Sequence, residues 1–405
     1  MTDSSPAPRN IGAIDYDGLL NTYYQQAVST AQYLDASCEQ GAQFLKDLQH
    51  RLKVLNRAHQ FTPDDNVSPE AVLRGNRAAF KHCGLIGENS DEVLSRLKAI
   101  LEGTQDSPFI KKDFSKTKTI HEGPHSSSEV SLWENSDREI AIKRFKRSDL
   151  NLKVIPAYGF WMELAMTLGT ESPHVVKALD FGGCTESSAN DTFLFDICME
   201  SALQSFDKFM MGTESEDWAT LGSILSLYAA AHEGELSPRT HLILRDIKPG
   251  NILIFPNQNF KLCDFALSVY ERDLQIQEPQ HHRIGTIGYI PPEAECEIIN
   301  SGNPEFKNKK FLWSPQGDVY SLGVTLFEKL YFRGFDQATG SQLQKHMDLF
   351  LRNPQDRKFS NIPEKLKPFL PRCLTTDLSE TPSGRYPDIN QVKQAFQALQ
   401  IDSNR

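Results

Sequence analysis

Apolar residues recur every three or four positions early in the chain, at Leu20, Tyr24, Ala27, Ala31, Leu34, Cys38, Ala42, Leu45, Leu48, Leu52 and Leu55. That spacing draws one apolar stripe along a single helix, or along two helices broken near Gly41. Such a stripe must be buried, and partners follow at once. Ser68-Pro69-Glu70 opens a helix ending at Gly84, and Ser90-Asp91-Glu92 opens another ending at Gly103, each with a capping residue and an acidic first turn. The pattern predicts a polar tail over 1–15, a helical bundle over 16–103, and a linker over 104–117 where breakers interrupt any period.

From 118 onward the period changes. Glu139-Ile140-Ala141-Ile142-Lys143 alternates as a strand does, and Val175–Leu179 and Thr192–Met199 are rich in β-formers. Ile252–Phe255 and Phe260–Cys263 are too short for helices, and Pro256-Asn257-Gln258-Asn259 between them predicts a hairpin. Helical spacing returns at Phe160–Met166, Leu221–His232, Gly317–Glu328, Gln342–Leu351, Glu364–Thr375 and Ile389–Leu399. Strands first and helices afterwards describe an α+β domain over 118–399, with a β-rich part over 118–200 and a helical part over 201–399.

A length of 405 residues fits this two-domain reading, and the 39% hydrophobic and 24% charged fractions are those of a globular protein. No apolar run reaches the ~18 residues of a membrane-spanning helix. Met1–Asp15 lacks the basic start and apolar core of a signal peptide. The seven cysteines, Cys38, Cys83, Cys184, Cys198, Cys263, Cys296 and Cys373, are scattered without a Cys-x-x-Cys pair. A reducing cytoplasmic compartment without structural zinc is expected. A net charge of −10 opposes binding to nucleic-acid phosphates, and the basic cluster Lys143–Arg147 reads as a solvated strand edge. His281-His282 lacks partners at ligand spacing and reads as solvated.

Chemistry-bearing residues gather around the predicted hairpin, with Asp246, Lys248 and Asn251 before it and Asp264 after it. An acceptor-orienting carboxylate, oxygen ligands for magnesium and a nearby cation are what phosphoryl transfer requires. Leu244-Arg245-Asp246 followed by Asn251, Asp264-Phe265-Ala266, and the strand ending at Lys143 together resemble the eukaryotic protein kinase family. The resemblance implies a bilobal kinase-like fold behind the all-α bundle, with ATP and Mg2+ as cofactors. It assigns Asp246 as catalytic base, Lys248 to the γ-phosphate, and Asn251 and Asp264 as metal ligands. Lys143 would pair with the α/β-phosphates and with Glu163. Gly123, Val130, Ala141, Met199, Glu200, Ala202 and Leu253 would enclose the nucleotide, Met199 as gatekeeper and Glu200 and Ala202 offering backbone groups to adenine. Gly285–Glu293 resembles the family's substrate-docking segment, Glu293 would pair with Arg385, and Asp318 would hydrogen-bond the catalytic-loop backbone. Lys248 with Thr286 resembles the serine/threonine pattern, so hydroxyls of protein substrates are the expected acceptors.

The chain also departs from the family. Gly123-Pro124-His125-Ser126-Ser127-Ser128-Glu129-Val130 keeps only the first glycine of the phosphate loop, Leu244 stands in place of histidine, and Ala266 in place of glycine. Alanine resists backbone angles open to glycine, which predicts a restricted flip between active and inactive arrangements. These departures imply an alternative, a weak or inactive kinase-like scaffold that controls its N-terminal helices. The domain order is similar to that of the mixed-lineage-kinase-domain-like proteins, whose bundle acts on membranes. Residues 15–60 here mix acidic and basic positions instead of presenting a cationic face, so self-association or a protein partner is expected of the bundle and membrane action is not. Asn300–Lys310 reads as a polar surface insertion.

Overall fold

A computed structural model describes residues 113–122, 128–146, 162–163, 166–167, 172–183, 193–236, 241–271, 285–294, 313–333, 340–375 and 384–401, all within the unit Ala79–Arg405. The expected helical bundle, Gly123, His281-His282 and the Asn300–Lys310 insertion lie outside the described residues.

Five antiparallel strands form the first sheet: β1 (Ser115–Glu122), β2 (Ser128–Glu134), β3 (Glu139–Lys146), β4 (Ala178–Gly183) and β5 (Phe193–Glu200), in the order β1-β2-β3-β5-β4. β1 starts inside the stretch read as linker. It is an exposed edge strand of polar residues, tied to β2 by Lys116 Nζ to Glu129 Oε1 at 2.6 Å, and an edge with no apolar face shows no alternation to read.

Register decides which side chains share a face, because directly paired residues of antiparallel strands point the same way. Val130 pairs with Lys143, Leu132 with Ala141, Ala141 with Met199 and Lys143 with Ile197, so these six line one face. The opposite face carries Trp133, Ile140, Ile142 and Cys198, which pack with Phe114 into a small core. Since β3 is interior, the solvated-edge reading of Lys143–Arg147 fails for Lys143 and Arg144. Both are buried, and Arg144 Nε stands 3.2 Å from Asp196 of β5 with its guanidinium 5.4 Å from the Trp133 ring. A basic run does not reveal that its counter-charge arrives on a distant strand.

The second part contains the three-stranded sheet of β6 (Gln204–Ser205), β8 (Ile252–Phe255) and β9 (Asn259–Leu262), and the pair β7 (Leu242–Ile243) with β10 (Val269–Tyr270). The expected hairpin is β8–β9, and its tight turn places Asn257 and Gln258 at φ of 63° and 53°. The helices are α1 (Glu214–His232), α2 (Pro315–Phe332), α3 (Gly340–Arg352), the short α4 (Pro371–Leu374) and α5 (Ile389–Ile401). Thr213 and Glu216 form a capping box that starts α1 a turn and more before its apolar run. Glu364–Thr375 is not one helix: it divides into a 3-10 turn at Glu364–Leu366 and α4. Pro368 and Pro371 withdraw backbone donors and bar a continuous ladder.

Every residue of α2 from Gly317 to Leu330 is buried, so this stretch has no solvent face, and α4, α5 and α3 pack against the helix. Gly323 lets Cys373 approach, since a Cβ at 323 would stand 2.6 Å from Cys373 Cβ. Lys329 Nζ, buried in the same helix, donates to Phe209 O at 2.6 Å and Asp207 O at 3.2 Å and lies 5.0 Å from the Phe206 ring. α2 thereby holds the chain just after β6.

Two outcomes follow for stability. Gly323→Ala is expected to lower the unfolding free energy by about 1–3 kcal/mol through overpacking, measured by urea titration; an unchanged midpoint would contradict the packing described. Burial pushes the Lys329 ammonium down to about 8, against the opposing charges of Glu328 and Asp207. Its folded pKa is depressed, so the unfolded chain holds this proton more tightly between about pH 8 and 10, and the contribution of Lys329 to stability rises across that window. The stability of the wild type relative to Lys329→Met is therefore expected to grow from pH 8 to pH 10, and a constant difference would refute it.

Candidate active site

One wall of the site is the half-buried face of the five-stranded sheet. Lys143 Nζ projects from it and donates to Glu163 Oε1 at 2.7 Å and to Asp264 Oδ1 at 2.9 Å. The second oxygen of Glu163 accepts the Phe265 N–H, so the same carboxylate fixes both the lysine and the backbone after Asp264. Burial alone would lower the Lys143 pKa, but the carboxylates of Asp264 and Glu163 outweigh it and leave the ammonium above its ordinary value. Burial pushes the Glu163 carboxyl up against the pull of Lys143. Asp264 is also pushed up by enclosure, yet Lys143 prevails and holds it below the usual carboxylate range. Its side chain remains 43% exposed, facing the cleft.

The opposite wall is set by Asp318 at the start of α2. Its Oδ2 accepts Leu244 N–H at 2.6 Å and its Oδ1 accepts Arg245 N–H at 2.9 Å and Trp313 Nε1–H at 3.1 Å. His232 Nδ1 accepts the Ile389 N–H at 3.4 Å, which leaves Nε2–H to donate to Asp318 Oδ2 at 3.1 Å. Arg245 is held at φ 63°. Gly285 is needed beside it, at φ 102° and with space for no Cβ, which would stand 2.8 Å from Arg245 O. Leu244 sends its side chain into the large core.

Asp246 lies just beyond this clamp and is almost wholly buried. Asn251 Nδ2 donates to its backbone oxygen at 2.8 Å and to Oδ2 at 2.9 Å. Lys248 Nζ donates to Asp246 Oδ2 at 2.7 Å and to Thr286 Oγ1 at 2.8 Å, and Thr286 Oγ1–H donates to Asp246 Oδ1 at 2.7 Å. Thr286 is brought there by a segment anchored three ways. Tyr289 Oη donates to Glu328, Ser321 Oγ donates to Tyr289 O at 2.7 Å, and Arg385 makes a fork to Glu293 at 2.6 and 3.2 Å.

The donor set fits a magnesium nucleotide. Asn251 donates from Nδ2 to Asp246, so its Oδ1, an oxygen of the kind Mg2+ takes, is not used in those bonds. The hairpin closes through Cys263 N–H to Asn251 O at 3.1 Å, which sets Asn251 beside Asp264. Among the described residues no three His, Cys, Asp or Glu side chains cluster at metal-binding distance. A protein contribution of one carboxylate and one amide oxygen suits Mg2+, which keeps waters and takes its remaining ligands from phosphates. The turn at Asp264 takes the left-handed angle at Asp264 itself, φ 64°, and Ala266 has no positive φ, so alanine is accommodated in this arrangement.

The structure thus brings together Lys143, Glu163, Asp246, Lys248, Asn251 and Asp264. Val130, Ala141 and Met199 share the sheet face that carries Lys143. Leu253 lies half-buried in β8, and Glu200 and Ala202 stand where β5 leaves the sheet. Sequence reasoning missed His232 and Trp313 as partners of Asp318, and Lys261 as a partner of Glu200 at 2.5 Å. Trp313, five residues before Asp318, gave a local signal. The others are joined only by the fold.

Residues 114–397 match the protein kinase domain family. The chain is 24% identical over 262 residues to the dual specificity mitogen-activated protein kinase kinase hemipterous of Drosophila melanogaster, covering 63% of this chain and 20% of that protein. It is 26% identical over 195 residues to a G-type lectin S-receptor-like serine/threonine-protein kinase of Arabidopsis thaliana, covering 47% and 22%. It is 30% identical over 140 residues to the dual specificity protein kinase Ttk of Danio rerio, covering 34% and 14%. The matched stretch therefore spans about a fifth or less of these curated relatives.

Removing the Asp318 carboxylate leaves four buried donors without their acceptor. Asp318→Ala is expected to lower the unfolding free energy by roughly 3 kcal/mol or more, read from guanidinium titration, with Asp318→Asn intermediate. A loss under about 1 kcal/mol would show that the clamp contributes little.

Proposed function

The chain belongs to the protein kinase family, and on that premise we propose that it transfers the γ-phosphoryl group of ATP, with Mg2+, to serine or threonine hydroxyls of protein substrates. The observation that carries the proposal is the pairing of two preorganised carboxylates: Asp246, fixed by Lys248, Asn251 and Thr286, and Asp264, held by Lys143. When bound, the magnesium nucleotide supplies the phosphoryl group and the charge neutralisation between its phosphates.

The residues of this chain do the rest by position and charge. Asp246 accepts the hydrogen bond of the incoming hydroxyl, orients its oxygen and takes its proton. Lys248 donates toward the moving phosphoryl oxygens while keeping the Asp246 carboxylate aligned. Asn251 Oδ1 and Asp264 would hold the metal, and Lys143, kept protonated by its two carboxylate neighbours, would bind phosphate oxygens. Val130, Ala141, Met199 and Leu253 exclude water from the base, and Glu200 and Ala202 present backbone groups to it. Serine and threonine are favoured as acceptors by Thr286, whose hydroxyl caps Asp246 and whose bond to Lys248 narrows the approach. The relatives' names include serine/threonine and dual-specificity kinases, and the proposal takes the narrower class.

Purified protein supplied with labelled ATP, Mg2+ and a protein substrate is expected to place label on serine and threonine, identified by phosphoamino-acid analysis. Asp246→Asn and Lys143→Met are each expected to reduce incorporation about 100-fold or more. Equal incorporation by all three proteins overturns the proposal in favour of a kinase-like scaffold.

A further inference from the structure

A cavity of about 470 Å³ is walled by α1, by α5 and by the turn of the β8–β9 hairpin, with His174 also lining it. That volume falls within the range of about 300–1,000 Å³ common to ligand sites. The hairpin presents Asn251 and Asp264 at its open end and this turn at the other, and the cavity shares no residue with the candidate active site. Its walls are fixed. Phe396 of α5 packs on Trp218 of α1 with ring centroids 4.7 Å apart, and His174 O accepts the Leu262 N–H at 2.8 Å, which straps that segment to β9.

Two features of the lining point to an occupant. The first is charge. Lys393 of α5 is partly buried in the lining, no aspartate or glutamate lines the cavity, and the ammonium forms no ion pair among the described residues. The second is a set of side-chain amides, Gln258 and Asn259 from the turn and Gln397 and Gln400 from α5. A primary amide carries a donor and an acceptor side by side, the same pair that a peptide backbone presents. None of the four spends its side chain on a bond among the described residues. Gln258 sits at φ 53°, where glycine is the easier residue, and the amide it brings to the cavity is what glycine could not supply. Between these polar groups the buried rings of Phe260 and Phe396 give an apolar lining. We propose that the cavity binds a short extended segment of a partner protein that carries an aspartate or glutamate beside an apolar residue. The carboxylate pairs with Lys393, the amides pair with the segment's backbone, and the apolar side chain rests on the two rings. Binding here is independent of phosphoryl transfer, since the cleft and the cavity have no residue in common.

The test uses full-length protein and two short fluorescein-labelled peptides, one alternating glutamate with leucine and the other lysine with leucine, followed by fluorescence anisotropy. The wild type is expected to bind the glutamate peptide about tenfold more tightly than the lysine peptide. Lys393→Glu is expected to weaken the glutamate peptide about tenfold and to strengthen the lysine peptide, so that the preference reverses. Ser226 of α1 also lines the cavity, and Ser226→Phe, which fills the space without altering charge, is expected to abolish binding of the glutamate peptide. Urea unfolding of both variants reports that the fold is kept, and if Ser226→Phe unfolds, the charge reversal decides. Equal affinity of the wild type for the two peptides, binding of neither at millimolar concentration, a preference that Lys393→Glu does not reverse, or full binding by folded Ser226→Phe overturns the proposal. Displacement of the glutamate peptide by an equal concentration of free glutamate also overturns it, because the backbone and the apolar side chain would then contribute nothing.

Discussion

A negative charge enclosed by protein is tolerable only when its lone pairs are filled, and the Asp318 carboxylate fills them with four donors, two on each oxygen. Two of those donors are the successive backbone amides of Leu244 and Arg245. Their orientation determines where the chain goes next, and Asp246 is the next residue. The same carboxylate takes the ring of His232 at the end of α1, which in turn receives the first amide of α5. A single buried charge therefore couples three helices to the catalytic loop, and it sits in a helix with no solvent face, so nothing competes for it.

The electrostatics of the cleft follow a different logic. Lys143 is buried between two carboxylates, one of which, Glu163, is buried too, while the other opens to the cleft. Burial disfavours every charge in the group, yet the cation lies within hydrogen-bonding distance of both anions and the balance leaves it firmly protonated. Glu163 has a structural share in this, because its second oxygen is committed to the Phe265 amide. Asp264 also accepts a backbone amide, that of Ala266, yet its side chain stays 43% exposed and keeps an oxygen surface of the kind a cation bridging phosphates needs. The two carboxylates thus differ both in exposure and in the amides they accept.

Much of this was legible before any coordinates. The order of strand and helix periods located the two parts of the domain, and the spacing around Asp246, Asn251 and Asp264 identified the hairpin that presents them. Lys248 and Asn251 were readable as neighbours of Asp246 because they follow it by two and five residues. Arg144 was misread because its counter-ion sits on β5, and Lys261 was overlooked because its partner arrives from another sheet. β1 was missed for the opposite reason, since an exposed edge strand buries nothing and leaves no pattern. The proline-broken stretch from Glu364 to Thr375 carried its own warning in Pro368 and Pro371, which a purely periodic reading passed over.

The two departures around the catalytic loop are explained by where strain is stored. Leu244 sets an apolar side chain in the core, while its amide, the part that meets Asp318, is common to every residue but proline. Ala266 follows the left-handed residue and does not itself adopt a left-handed angle, so the cost of the turn falls on Asp264, and asparagine-like and aspartate side chains bear such angles better than most. Asp264 is held there by accepting from Lys143 Nζ and from the Ala266 N–H, while the Phe265 N–H donates to Glu163. In this arrangement no glycine is required at 266, and the Asp264 carboxylate is positioned by the bonds it accepts.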